Sequence, residues 1–168
     1  MSQEKNIPAK ERVASSFKRL AAVSTDLNSA ADELSKTISN LDDALRALNL
    51  GVSAWHQVAG NEDAQDGSYW SRDIGYARVR NKWGIAIRKT WGNQSFDDHN
   101  EEEWLFADAP RWMCIASIGK LPDLFEDLIK RTQETTDKIK AKTNQAKEFA
   151  AAISAAASDM QPRAGKTK

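Results

Sequence analysis

The sequence predicts an α+β protein: a small Trp-rich head, built on a four-stranded antiparallel meander with a short covering helix, flanked by two long helices that form an antiparallel coiled-coil stalk. Three observations carry this expectation. All six tryptophans (positions 55, 70, 83, 91, 104 and 112) and both tyrosines fall between Trp55 and Trp112. Six of the eight glycines fall between Gly51 and Gly92. The flanks are instead rich in Ala, Leu, Lys, Glu, Ser and Thr, which suits helices. The expected division is a heptad helix over 1–50, a head over 51–120, a second long helix over 121–158 and a disordered tail over 159–168.

The first helix carries the strongest periodic signal. Val13, Leu20, Leu27, Leu34, Leu41 and Leu48 recur every seven residues, and Phe17, Ser24, Ala31, Ile38 and Leu45 form a second row, each three residues before the next leucine. Such an a/d stripe demands a partner helix, because on its own it would sit in water. Asn6 and Pro8 suit the cap and first turn, and Gly51 suits the stop. The seam is flanked by small residues such as Ala14, Ala21, Ala30 and Ala44. A parallel zipper usually carries Glu and Lys there, so close or multi-helix packing is favoured.

Four strands are expected in the head, over 52–58, 72–80, 83–91 and 103–107, joined as a meander because consecutive short strands usually pair. For the central hairpin, a three-residue loop over 80–82 pairs Val79 with Trp83, Ala77 with Ile85 and Gly75 with Ile87. The opposite face then collects Ile74, Tyr76, Arg78, Gly84, Ala86, Arg88 and Thr90, a better sorting than a two-residue Asn81-Lys82 loop gives. Asn81 or Lys82 would take the left-handed turn position. A short helix over 109–119 follows, capped by Asp108, with Pro110 in its first turn and Gly119 at its end. Its Trp112, Ile115, Ala116 and Ile118 can cover the apolar side of the sheet.

The last helix has apolar rows at both ends (Leu121, Leu128 and Phe125; Phe149, Ile153 and Ala156) and a poor middle. Asp123, Glu126 and Asp127 suit its N-terminal dipole. Pairing Leu48 with Leu121 brings Leu41 to Leu128, Leu20 to Phe149, Phe17 to Ile153 and Val13 to Ala156, which satisfies both ends with one register. Leu27 and Leu34 would then face Lys142 and Thr135. Self-association through Leu27, Leu34 and Ile38 is therefore expected, as a homo-oligomer with a dimer favoured.

Composition narrows the function classes. The 24 basic and 24 acidic residues cancel, so the basic excess of a nucleic-acid binder is missing and nucleic acid is not an expected partner. One cysteine, Cys114, can form neither an internal disulfide nor a multi-cysteine zinc site, which fits a reducing cytoplasm. The polar stretch from Met1 to Arg12 has no signal-peptide core, and no apolar run approaches the roughly 20 residues of a membrane span. A cytoplasmic protein without a membrane partner is expected.

Three groups of residues could carry chemistry. The run Asp97, Asp98, His99, Asn100, Glu101, Glu102, Glu103 reads as a solvated acidic loop, since it lacks calcium-loop spacing and its central glycine. His56 alternates with Ala54 and Val58 in the first strand, where a packed or exposed role is commoner than catalysis. No Ser-His-Asp spacing, phosphate-cradling glycine loop or HExxH motif occurs, so no catalytic residue, metal or cofactor is assigned. The third group is Tyr76, Arg78 and Arg88, expected on one polar sheet face above small Gly84 and Ala86, where arginine forks suit carboxylates and phosphates. The functional expectation is a non-enzymatic interaction protein, with the stalk setting oligomeric state and the head presenting a surface to a protein or small anionic ligand. The alternative is a small enzyme using His56, His99 or the 97–103 segment.

Overall fold

A computed structural model describes residues 8–159, and it is an α+β structure in which helices pack on one antiparallel sheet. Strands β1 (Ala54–Glu62), β2 (Ser68–Val79), β3 (Lys82–Asn93) and β4 (Asp98–Leu105) lie in the order β1-β2-β3-β4. The strands run further than the apolar residues alone suggest. The acidic segment expected as a loop is largely β4, paired with β3 so that Glu103 faces Arg88 and Glu102 faces Lys89. Opposite charges across a ladder support this pairing. Only Asp97 occupies a left-handed turn position there.

The central hairpin differs from expectation in a way that re-sorts both faces. Its loop is the two residues Arg80 and Asn81, both left-handed at φ 47° and 68°, the conformation whose twist matches the flanking strands. Val79 therefore pairs with Lys82, Tyr76 with Ile85 and Ile74 with Ile87. Four large apolar side chains now share one face, whereas the expected register would have split them. Small Gly75, Ala77, Gly84 and Ala86 take the other face, where the Trp55 ring lies so close over Gly75 that a Cβ would collide with it.

Helix α1 (Ala9–Ala47), the short α2 (Arg111–Ser117) and α3 (Leu121–Asp159) complete the chain. Pro110 rather than Asp108 precedes α2, and Gly119 lies in a 3-10 turn that runs on into α3. The core face of the sheet (Ile74, Tyr76, Ile85, Ile87) is covered by Ile38 and Leu45 of α1, Met113 and Cys114 of α2, Leu124 and Leu128 of α3, and Phe106. Leu124 is fully buried although it lies outside both heptad rows. The docked part of α3 uses Leu121, Leu124, Phe125 and Leu128, the wide stripe of a helix on a sheet rather than a two-row seam.

The intramolecular stalk is not formed among the described residues. Leu20 and Phe149, expected as partners, are 64% and 58% exposed, and Val13, Phe17 and Ile153 are equally open. The reason is visible in how the helices lie. Leu27–Ser35 of α1 run beside Phe106–Ile115, and Leu45–Leu50 lie beside Phe125–Lys140 of α3. The undocked part of α1 thus leaves the head past α2, and that of α3 leaves past Leu50, from different ends. Residues 9–30 and 136–158 are exposed throughout, two arms of roughly 33 Å each at 1.5 Å per residue. Ile38 and Leu34 are corrected with the stalk. Ile38 is buried in the chain's own core and Leu34 packs against it, so neither is free to form an oligomer seam, while Leu27 is half exposed. Asn6 and the tail beyond Asp159 lie outside the described residues. No helix among them is long and apolar enough to cross a membrane.

Candidate functional site

The structure does not bring Tyr76, Arg78 and Arg88 together. Tyr76 is buried on the core face and stacks on Trp83 at 5.5 Å. Arg78 shares that face but is exposed near the turn. Arg88 points to the opposite face, where its Nε donates to Asp73 Oδ2 at 3.1 Å, Glu101 Oε2 lies 3.8 Å from its Nη1, and the guanidinium sits 4.3 Å over the Trp55 ring. Its Nε is thus already engaged, and its charge is shared between two carboxylates. Burial and the adjacent Glu101 carboxylate lift the Glu103 carboxyl above its usual range, which fits a crowded acid cluster around one arginine.

The histidines and the cysteine are also placed. His56 Nδ1 lies 2.7 Å from Asp127 Oδ2 and its Nε2 lies 3.4 Å from Asp123 Oδ2, so it ties β1 to the first turns of α3. Lys120 bonds Asp123 and holds its carboxyl below the usual range. His99 Nδ1 meets the Tyr69 hydroxyl at 2.7 Å, on the other face and far along the sheet. Cys114 is buried, its thiol donates to the Phe106 carbonyl, and burial pushes its pKa up, the opposite of an activated nucleophile. Among the described residues no group of three His, Cys, Asp or Glu is placed to hold a metal ion.

A different cluster emerges on the helix-bearing face, beyond the edge of the helical cover. Trp70 and Trp91 are cross-strand partners there, and so are Arg72 and Lys89 two residues further along. The Arg72 guanidinium lies 5.4 Å from the Trp70 ring centroid and 4.8 Å from that of Trp112, which α2 brings over from above. Lys89 Nζ sits 4.7 Å over Trp91. Trp112 is 58% exposed and Trp70 is 39% exposed. Indole faces attract cations, and open indoles are costly to keep in water unless something covers them.

The chain matches no protein-family model, no curated protein and no solved structure.

The cluster had a signal in the sequence. Trp70-Ser71-Arg72 and Lys89-Thr90-Trp91 each put an indole and a cation two residues apart, hence on one side of a strand. Only the true hairpin register aligns the two motifs opposite each other. With Lys82 inside the loop, as in both of the expected hairpins, the two motifs fall out of register and the cluster disappears.

Proposed function

We propose that this chain is an assembly-forming interaction protein whose helical arms join copies and whose head offers the aromatic–cation face to a ligand. The observation that carries the reading is the exposed heptad stripe of the α1 arm: Val13, Phe17, Leu20 and Leu27 all stand at least half open to water. An unsupported helix of this length is marginal in water, and a leucine seam gains stability only against another apolar surface. The α3 arm carries the complementary residues Ile139, Phe149 and Ile153, also exposed. The two arms leave their own head from different ends, so a two-fold arrangement can lay the α1 arm of one copy antiparallel along the α3 arm of the other. The register that joins Leu20 to Phe149 and Phe17 to Ile153 then operates between chains.

Crosslinking tests this directly. Cysteines at 20 and 149, in a Cys114→Ala background, should form disulfide-linked dimers and no intramolecular bond. A pair at 20 and 128 should not react, because 128 lies about 30 Å away along the helix. Rapid crosslinking within a monomer, or a monomeric mass in solution at high concentration, would remove the reading.

A further inference from the structure

We propose that the clamp formed by Trp70, Arg72, Trp112 and Lys89 binds a phosphate monoester carried on a planar ring, the chemistry of a nucleoside monophosphate. This rests on reading the head as a ligand-presenting surface. Arg72 and Lys89 face each other across adjacent strands, and like charges directly opposed repel. Among the described residues neither takes part in an ion pair, and Glu102, the β4 partner of Lys89, lies beyond pairing distance. The arginines that donate hydrogen bonds are Arg46, Arg88 and Arg111, so Arg72 keeps its fork uncommitted. With the Trp70 and Trp112 ring centroids 5.4 and 4.8 Å away, the guanidinium keeps its N–H donors, which can grip two oxygens of an oxyanion.

Charge and shape narrow the class. Two cations outside any salt bridge match a dianionic monoester better than a single carboxylate. Trp112 and Trp70 give a flat ring a stacking surface beside the anion site. Glu62, Asp63, Asp66, Asp97 and Asp98 gather at the same end of the sheet, and their charge opposes a long polyanion. A small ligand is thereby favoured over a nucleic-acid strand.

The test is titration of the full chain at low salt, read by tryptophan fluorescence and by melting temperature. Adenosine monophosphate should quench saturably and raise the melting temperature, with inorganic phosphate weaker and benzoate weaker still. Arg72→Gln should weaken adenosine monophosphate at least about tenfold, as expected when a charged hydrogen-bonding partner is lost. Lys89→Gln should weaken it several-fold. Trp112→Ala should weaken the nucleotide more than inorganic phosphate, and because this side chain lies at the surface it keeps the test usable if Arg72→Gln misfolds. No saturable response to the nucleotide, unchanged affinity in Lys89→Gln, or tighter binding of a short oligonucleotide would each overturn the proposal. Solution mass is measured alongside. An intact dimer that ignores the nucleotide rejects the ligand alone, and a monomer that binds it rejects the assembly alone.

Discussion

Asp42 shows how a single polar residue on an otherwise apolar helix face can be structural. β4 ends opposite Ala86, so the next residue of β3, Ile85, has an outward N–H with no strand beside it. Asp42 of α1 accepts that bond, and its carboxylate reaches close to Gly84, where a Cβ would crowd it. Burial raises the Asp42 pKa, against the lowering influence of the Ile85 N–H and Arg46. A folded-state pKa above the unfolded value means that the native state holds its proton longer. The associated stability is present below the unfolded value of 3.8 and is lost as pH rises through the folded one. Asp42→Asn keeps the acceptor and removes the charge, so it should gain on the wild type as pH climbs through that window, in denaturant melts at stepped pH. Asp42→Ala should instead cost about 1–3 kcal/mol, because it leaves a buried donor unsatisfied. Equal stability of the two variants at neutral pH would show that the bond is unimportant. Nothing in the sequence singles out Asp42 from Asp43 beside it. The distinction depends on where β4 stops.

At the scale of elements, each long helix is two things in series. The docked third of α1 buries Ile38 and Leu45, and that of α3 buries Leu124 and Leu128. Toward the tips, residues 9–26 of α1 and 141–158 of α3 are exposed throughout. Leu124→Ala should lower the stability of the head by about 2–5 kcal/mol, the range for a filled core position. Leu20→Ala should leave the melting of the head unchanged and weaken only association. If both lowered the head transition alike, the arms would be part of its core. This division marks how far the sequence was legible. The α+β class, the meander order and the two helical flanks follow from where Trp, Gly and the heptads fall. The heptad rows, however, run unbroken through Leu27, Leu34 and Leu41, so periodicity cannot say where sheet contact gives way to arm. The hairpin slip has a similar cause. Arg80 is a poor candidate for a left-handed position by residue type, and four apolar side chains joining one core outweighed that preference. With the register went the site: Tyr76 moved into the core, Arg88 to the far face, and Arg72 and Lys89 came together.

For the whole molecule, arms and head should respond separately to dilution. The head has a buried core made within one chain. In the proposed assembly the second copy gives the arms the cover that they lack in one chain, since helices without tertiary contacts are marginal. Lowering the protein concentration should therefore reduce helical circular dichroism while tryptophan fluorescence stays constant. A helical signal independent of concentration, with the mass falling to that of one chain, would mean that the arms hold their shape alone, and the motive for assembly would vanish.

The order of the strands also bears on synthesis. Each strand neighbours the next in sequence, so the sheet needs no distant segment and can close as its hairpins emerge from the ribosome. Its cover arrives on a different schedule. Ile38 and Leu45 precede the sheet, but Leu124 and Leu128 follow it, so the inner face carrying Ile74, Tyr76, Ile85 and Ile87 stays partly bare until the start of α3 has been made. A ribosome pausing between β4 and α3 would hold a finished sheet with an open apolar flank, the state in which a nascent chain is most prone to stick to its neighbours.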